Sequence, residues 1–259
     1  MAFFEVKNLT RKFGGLVAID DLSFAVDQGM VFSIIGPNGA GKTTIYNCIS
    51  GIYAPNAGDI SFQNESLVGL KAHEVAQRGV ARTFQNIELF SYMTTMDNLL
   101  LGRHLHMKTN IFNGTLLYKW RSFSSKAARE EIAHRRKIEE IIDFLDLQSA
   151  RDKYVGGLPY GTQKLIELGR ALALEPKLLL LDEPFAGMNN EERQDLYFHI
   201  KDIRDELGVT VIMIEHDMQM VMDISDRVLA IDFGKKLTEG PGKEVAEHPE
   251  VIKAYLGEE

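Results

Sequence analysis

Cysteine, tryptophan and long apolar runs are scarce in this chain of 259 residues. Cys48 is the single cysteine, which excludes an internal disulfide and predicts a protein of a reducing compartment. No stretch approaches the roughly 20 consecutive apolar residues that cross a bilayer as a helix. Residues 1–7 lack the basic and then apolar layout of a signal peptide. These absences predict a cytosolic protein, which would serve a membrane only from outside the bilayer.

The chain also lacks an excess of basic residues over acidic ones. The chain carries 37 acidic and 29 basic residues, for a net charge of -8 and a pI of about 5.5. Because nucleic-acid binding depends on clustered Lys and Arg, this balance argues against a nucleic acid as the partner. One basic cluster, residues 135–137, is interpreted as the solvated face of a helix, with a nucleic-acid patch as the lesser alternative.

A glycine-rich segment carries the clearest chemical signal. Residues 36–43 match the phosphate-binding P-loop pattern G-x-x-x-x-G-K-[ST], after the apolar run 30–35 and before a predicted helix at 44–50. A strand, a loop and a helix in this order are the context that the motif requires. The alternative, a glycine-rich turn that binds nothing, is disfavoured by that context. The predicted phosphate-binding residues are Gly36, Pro37, Asn38, Gly39, Ala40, Gly41, Lys42, Thr43 and Thr44.

Each part of this loop suits a nucleoside triphosphate. Gly39 and Gly41 allow the backbone to approach the phosphates, so that its N–H groups point at them. The positive end of the helix dipole adds to this field. Lys42 would supply a point charge to the β and γ phosphates, and the Thr43 hydroxyl would ligate Mg²⁺.

Hydrophobic periodicity predicts an α/β fold, a P-loop NTPase core with a parallel sheet. The apolar runs 178–181 and 209–214 are typical of buried parallel strands, and the segment between them is typical of a helix. Alternating segments within 3–26 and at 58–62 predict an antiparallel β layer beside that core. We therefore expect a single domain over 1–259.

A helical subdomain is predicted to be inserted into this core. It covers about 88–157 and leaves core segments at about 1–87 and 158–259. Within 126–147 the apolar residues fall at helical spacing, at positions Ile138, Ile141, Ile142 and Leu145. Residues 108–124 are expected to form a flexible excursion at the edge of the subdomain.

Charged side chains follow the two apolar runs, and ligands of open parallel sheets bind at such strand ends. Asp182 after run 178–181 is the Walker B pattern and would hold Mg²⁺. Glu183 would polarise the attacking water as a general base. His216, after run 209–214, would contact the γ-phosphate. The alternatives are a turn cap for Asp182 and Glu183 and an ordinary core or loop histidine for His216, and the upstream P-loop favours the functional interpretation.

Two further residues are candidates on weaker grounds. Gln85 lies where the core gives way to the helical subdomain, and its carbonyl oxygen would ligate Mg²⁺ or water. An exposed loop glutamine is the alternative. Phe13 would stack on an adenine ring, and an ordinary hydrophobic contact is nearly as well supported.

The order of these motifs resembles the ATP-binding cassette (ABC) ATPases over essentially the whole chain. The family's signature, Leu-Ser-Gly-Gly-Gln, corresponds here to Leu158 and the residues Pro159, Tyr160, Gly161, Thr162 and Gln163, ahead of a helix predicted at 164–174. The resemblance implies that two cassettes dimerise head to tail, and that each signature faces the ATP of the other subunit. It also implies that Gln85 is the Q-loop residue and His216 the switch histidine.

Within that family the chain most resembles the ATPase subunits of branched-chain amino-acid importers. The supporting segments are 81–86, 160–163, 183–189, 214–218 and 248–257. Related subgroups handle urea or amide import or lipopolysaccharide export, and these stay alternatives for the substrate. A soluble ABC protein acting on DNA or ribosomes, or a module that no longer hydrolyses ATP, is a more distant alternative.

The resemblance implies ATP and Mg²⁺ as ligands and several protein partners. These are transmembrane permease subunits, a second ABC ATPase subunit of the same or another kind, and, indirectly, a periplasmic binding protein. It places the chain peripherally on the cytoplasmic face of the inner membrane.

Two residues depart from the common pattern of the family. Pro159 replaces the signature serine and removes its hydroxyl, and Asn189 replaces an aspartate, as the branched-chain subgroup favours.

Overall fold

The computed structural model describes residues 2–107 and 126–256. Contacts divide the chain into two compact units, one made of Met1–Gln85 with Lys177–Glu259, the other of Asn86–Pro176. The excursion expected at 108–124 lies outside the described residues. Among the residues that are described, no helix has both the length and the apolar character needed to cross a bilayer.

The described elements alternate between strands and helices along most of the chain. The strands are β1 (Phe4–Phe13), β2 (Leu16–Val26), β3 (Val31–Ile35), β4 (Ala57–Phe62), β5 (Glu65–Ser66), β6 (Val80–Arg82), β7 (Leu178–Asp182), β8 (Thr210–Ile214), β9 (Arg227–Asp232) and β10 (Lys235–Gly240). The α-helices are α1 (Lys42–Ile49), α2 (Ala72–Gln77), α3 (Thr95–Gly102), α4 (Lys126–Phe144), α5 (Tyr160–Leu172), α6 (Asn190–Asp205), α7 (Met218–Ile224), α8 (Gly242–Ala246) and α9 (Pro249–Leu256). Short 3₁₀ turns lie at His104–His106, Gln148–Ala150 and Val155–Gly157.

The first unit contains a six-stranded sheet in the order β10-β9-β3-β8-β7-β6. Strands β9, β3, β8, β7 and β6 pair in parallel, and β10 is antiparallel to β9. Every residue of β3, β7 and β8 is buried, because both faces of the sheet are covered at these central strands. This is the reason for their continuous apolar runs. The predicted parallel core is confirmed.

A second sheet of the same unit is antiparallel, with the order β2-β1-β4-β5. Its strands alternate between buried and exposed residues, as expected of a sheet with one face on the core. The antiparallel layer predicted from residues 3–26 and 58–62 is therefore confirmed. Together the two sheets give the α/β fold of a P-loop NTPase.

Helix α1, which follows the P-loop, packs on the larger sheet through buried side chains. The Tyr46 ring is fully buried, and its hydroxyl lies 3.0 Å from the carbonyl oxygen of Leu181 and 2.6 Å from that of Ile212. This hydroxyl anchors α1 to β7 and β8, and burial raises the pKa of Tyr46. Cys48 is buried as predicted, and burial raises the pKa of its thiol to about 11.

The second unit is helical in its described part. Ile138 and Ile142 of α4 and the following Leu145 are buried, which confirms the predicted periodicity, and residues 135–137 are exposed as expected of a solvated face. Helix α5 packs closely on α3, since a Cβ added to Gly169 would lie 2.8 Å from a Leu99 methyl carbon.

The helix predicted at 164–174 begins four residues earlier, at Tyr160. Pro159 occupies the N-cap with φ -55° and ψ 152°, so the signature residues form the first turn of the helix. The reason is that proline's fixed φ suits a helix start, where its missing N–H is not needed. Because α5 contacts α3 and α4, residues 158–176 belong to the helical unit. The boundary predicted from the sequence placed this segment in the core.

Candidate functional site

The carboxyl ends of β3, β8 and β7 lie side by side at one edge of the larger sheet. Ile34 is the partner of Ile214, and Asp182 is the partner of Ile214 from the other side. The P-loop, the Glu215–Asp217 segment and the Asp182–Glu183 pair therefore emerge together. This edge is where ligands of parallel α/β sheets bind.

A cavity of about 430 Å³ opens at this edge of the first unit. Its polar part consists of Asn38–Thr44 together with Gln85 and Glu183. Its apolar part consists of Phe13, Leu16, Val17, Ala18 and Phe233. A cavity lined by both a phosphate-binding loop and apolar side chains suits the two parts of a nucleotide.

The P-loop adopts a backbone that only glycine accommodates at its junction with α1. Gly41 is the N-cap of α1 with φ +105°, and a Cβ there would lie 2.5 Å from the carbonyl oxygen of Ala18. The loop is thus closed tightly against β2, and the N-terminus of α1 is directed at the cavity lining.

Lys42 begins α1, and its ammonium group is folded back into the loop. Nζ donates a hydrogen bond to the carbonyl oxygen of Pro37 at 2.9 Å and another to that of Gly36. The side chain is buried at the cavity lining. The arrangement holds one positive charge inside a loop of neutral N–H donors.

Asp182 is buried at the end of β7, with only 3% of its surface exposed. Its Oδ2 accepts a hydrogen bond from Nη2 of Arg82 at 2.9 Å. The Arg82 guanidinium also donates to Asn47 at 2.7 Å and lies over the rings of Tyr46 and Phe84. Sequence reasoning missed Arg82, since a single arginine at the end of a short strand carries no motif.

Glu183 stands next to Asp182 in a left-handed conformation, with φ +48°. Its N–H donates to the carbonyl oxygen of Ile214 at 2.9 Å, which fixes the turn after β7 to β8. Its Oε2 accepts a hydrogen bond from Nε2 of Gln85 at 2.9 Å and lies 3.9 Å from Nδ1 of His216. The structure thus brings together the three residues that the sequence proposed for catalysis.

Glu215 is a second buried carboxylate that sequence reasoning did not include among the site residues. It is 1% exposed, and its Oε1 accepts from the Phe185 N–H at 3.0 Å. Its Oε2 accepts from the N–H groups of His216 at 3.0 Å and of Asp217 at 3.4 Å. Burial raises the pKa of Glu215. This carboxyl group ties the turn after β7 to the turn that carries His216.

Phe13 lines the apolar part of the cavity, where the sequence placed an adenine-stacking residue. Its ring packs edge to face on Tyr53 at 5.3 Å, and the Arg11 guanidinium lies 4.5 Å from its centroid. These contacts hold the ring in place at the cavity wall. Its interaction with a base remains a prediction.

The signature segment belongs to the second unit, at the start of α5. Among the described residues that line the cavity, none comes from this segment. Pro159 and Tyr160 are exposed, and Gln163 donates from Nε2 to the carbonyl oxygen of Leu158 at 2.8 Å. Asn189, the other departure from the family pattern, caps α6 by accepting from the N–H groups of Glu191 and Glu192 at 3.0 Å.

Two family models match the chain. The model described as ABC transporter matches residues 19–186, which includes the P-loop and the Asp182–Glu183 pair. The model described as branched-chain amino acid ATP-binding cassette transporter matches residues 235–259.

Curated relatives and solved structures agree with these matches. The high-affinity branched-chain amino acid transport ATP-binding protein BraF of Pseudomonas aeruginosa is 44% identical over 256 residues, covering 98% of this chain and 97% of its own. LivG of Escherichia coli, which has the same description, is 38% identical over 253 residues, with 98% and 97% covered. A solved ADP conformation of an ATP-binding cassette of an ABC transporter has a TM-score of 0.84 at 30% identity, covering 99% of both chains.

Proposed function

Because the chain belongs to the ATP-binding cassette transporter family, we propose that it is the ATP-hydrolysing subunit of an importer for branched-chain amino acids. The observation that carries this proposal is the cavity in which the P-loop meets Glu183 and Gln85. The match of residues 235–259 and the similarity to BraF and LivG support the substrate class. Urea or amide import and lipopolysaccharide export remain the alternatives for the transported molecule.

ATP would occupy the cavity with its phosphates on Asn38–Thr44. The backbone N–H groups and Lys42 would neutralise the phosphate charge. Thr43 and Gln85 line the cavity, and Asp182 directly precedes Glu183, which also lines it, so these residues would supply the hydroxyl, carbonyl and carboxylate oxygens that Mg²⁺ prefers. When bound, that ion would neutralise charge on the phosphate oxygens.

Glu183 would act as the general base toward the water that attacks the γ-phosphate. Gln85 and His216 already lie at its carboxylate, at 2.9 Å and 3.9 Å. They would orient the carboxylate and respond to the γ-phosphate. Glu215 would keep the His216 turn in place, since it accepts from the backbone of that turn.

The partners follow from the importer proposal. Transmembrane permease subunits would dock on the helical unit, where Phe90 and Tyr92 expose 57% and 95% of their surface. A periplasmic binding protein would act through the permease. The chain would then lie peripherally on the cytoplasmic face of the inner membrane.

The test of this proposal is reconstitution of the chain with its permease subunits and binding protein in proteoliposomes. We expect ATP-dependent uptake of labelled leucine, and no comparable uptake of urea. Tyr92→Ala should lower the stimulation of ATPase activity by the permease several-fold while the activity of the isolated chain stays unchanged, because Tyr92 belongs to the docking surface.

Leu207→Ala is the matched control, because Leu207 is also an exposed hydrophobic residue but belongs to the first unit and not to the helical unit. Its permease stimulation should match that of the unmodified chain. Uptake of urea instead of leucine would replace the substrate assignment. Equal stimulation of the Tyr92→Ala variant would remove Tyr92 from the docking surface.

We also propose that the chain works as a head-to-tail pair of cassettes, with α5 of each facing the nucleotide of the other. Pro159 has neither a hydroxyl nor an N–H to offer there. A charge-assisted hydrogen bond contributes about 1.5–3 kcal/mol, so a homodimer would close less firmly. This favours pairing with a second, different cassette and two unequal ATP sites.

Pro159→Ser is expected to raise the turnover of the homodimer, because serine supplies the missing donor and also caps a helix. The change should be smaller when the partner cassette is present. Steady-state ATPase assays of the variant, alone and mixed, measure both effects. If homodimer turnover is unchanged or lower, proline is simply a residue that suits a helix start, and the unequal-site proposal loses its support.

A further inference from the structure

Phe233 occupies an unfavourable position for a large apolar residue. It lies in the turn between β9 and β10 with φ +43°, in the left-handed region that bulky side chains avoid. Its surface is 81% exposed, so burial does not offset this conformation. The two-residue turn itself calls for positive φ at both of its positions, and a bulky apolar residue there, where small polar residues are favoured, directs attention to what the ring faces.

The turn is fixed rigidly between the P-loop and β2. The Gly234 N–H donates to the carbonyl oxygen of Ala40 at 2.9 Å, and the Asp20 N–H donates to the carbonyl oxygen of Gly234 at 3.0 Å. A Cβ on Gly234 would lie 2.6 Å from the carbonyl oxygen of Ala18. The backbone that carries Phe233 is therefore held directly against the phosphate-binding loop.

Phe233 lines the same cavity as the P-loop and Phe13. The phosphates of a nucleotide held by residues 38–44 leave its base and ribose to the apolar part of that cavity. Of the residues in this part, Phe13 and Phe233 are aromatic; Phe13 ends β1 of the antiparallel sheet, and Phe233 lies in the turn between β9 and β10 of the larger sheet. Aromatic rings bind the faces of bases irrespective of base sequence or type.

We propose that Phe233 is a second aromatic wall of the nucleotide site, which binds the base and ribose of ATP in addition to Phe13. The inference rests on the proposed binding of ATP in this cavity. It assigns the β9–β10 turn a binding role in place of a purely structural one.

The test compares a ligand that has a base, ATP, with a ligand that has none, inorganic tripolyphosphate. Phe233→Asn removes the ring but keeps a residue that tolerates the left-handed region. Calorimetric titration of the full chain with ATP should show an affinity lowered by about tenfold, in the range reported for loss of one base–aromatic contact. Titration with inorganic tripolyphosphate should show no change. Phe233→Tyr should restore ATP binding, because it restores the ring.

Phe198→Asn is the matched control, since Phe198 is an exposed phenylalanine on α6 that does not line this cavity. It should leave both affinities unchanged. The melting temperature of the nucleotide-free Phe233→Asn variant should be equal to or above that of the unmodified chain, since asparagine fits the turn better. A lower melting temperature would indicate a structural role and overturn the inference.

Two further outcomes would also overturn it. Unchanged ATP affinity in Phe233→Asn would show that the ring does not touch the nucleotide. An equal loss for ATP and tripolyphosphate would show that the turn acts on the P-loop and not on the base. If the unmodified chain binds neither ligand, the proposed function itself fails, which separates that failure from failure of the Phe233 inference alone.

Discussion

Replacing Glu183 with glutamine should lower the rate of ATP hydrolysis by roughly 10²–10⁴-fold, the usual contribution of a general base. Glutamine has the size of glutamate and can still accept the hydrogen bond from Gln85 through Oε1. It cannot take a proton from water at neutral pH. The effect should therefore appear in the catalytic rate and leave the fold intact.

Binding of ATP by the Glu183→Gln variant should be unchanged or tighter, because a negative charge beside the γ-phosphate is removed. If the pair of cassettes closes around ATP, the variant should accumulate as a dimer under nucleotide. Phosphate release, calorimetry and size-exclusion chromatography with and without ATP measure these three quantities.

Glu191→Gln serves as the control, since Glu191 is an exposed glutamate in the first turn of α6. It should retain the turnover of the unmodified chain. Turnover of the Glu183→Gln variant close to that of the control would remove Glu183 as the base. The two buried carboxylates of this edge, Asp182 and Glu215, would then be the next candidates.

The parts of the fold that could be predicted are those that depend on local sequence. Strands β3, β7 and β8 can be recognised in the sequence as apolar runs, because both of their faces are buried. The P-loop is a contiguous motif whose context, a strand and a helix, is also contiguous. Such features need no knowledge of distant residues.

The parts that could not be predicted depend on pairs far apart in the chain. Arg82 and Asp182 are separated by 100 positions, and the sequence does not show that their strands are neighbours. The role of Glu215 depends on the hydrogen bond that it accepts from the Phe185 N–H, which belongs to another turn, 30 positions away. Helix α5 starts four residues before the predicted position, because Pro159 serves as its N-cap and the signature residues form its first turn.

Replacing Lys42 with alanine should lower the affinity for ATP by roughly 10- to 150-fold, which corresponds to one charge-assisted hydrogen bond of about 1.5–3 kcal/mol. The loop otherwise consists of neutral N–H donors, and among the described residues that line the cavity Lys42 is the one cation. Because the ammonium also binds the carbonyl oxygens of Gly36 and Pro37, the free energy of unfolding should fall by about 1 kcal/mol.

The two consequences of Lys42→Ala are separable by experiment. Calorimetric titration with ATP, well below the melting temperature of the variant, reports the affinity of folded protein, and denaturant unfolding reports stability. Lys177→Ala is the control, since Lys177 is exposed at the opposite, amino-terminal end of β7. Its ATP affinity should match that of the unmodified chain. Undiminished binding by folded Lys42→Ala would mean that the phosphates do not lie on this loop, and both the placement of ATP and the Phe233 contact would have to be abandoned.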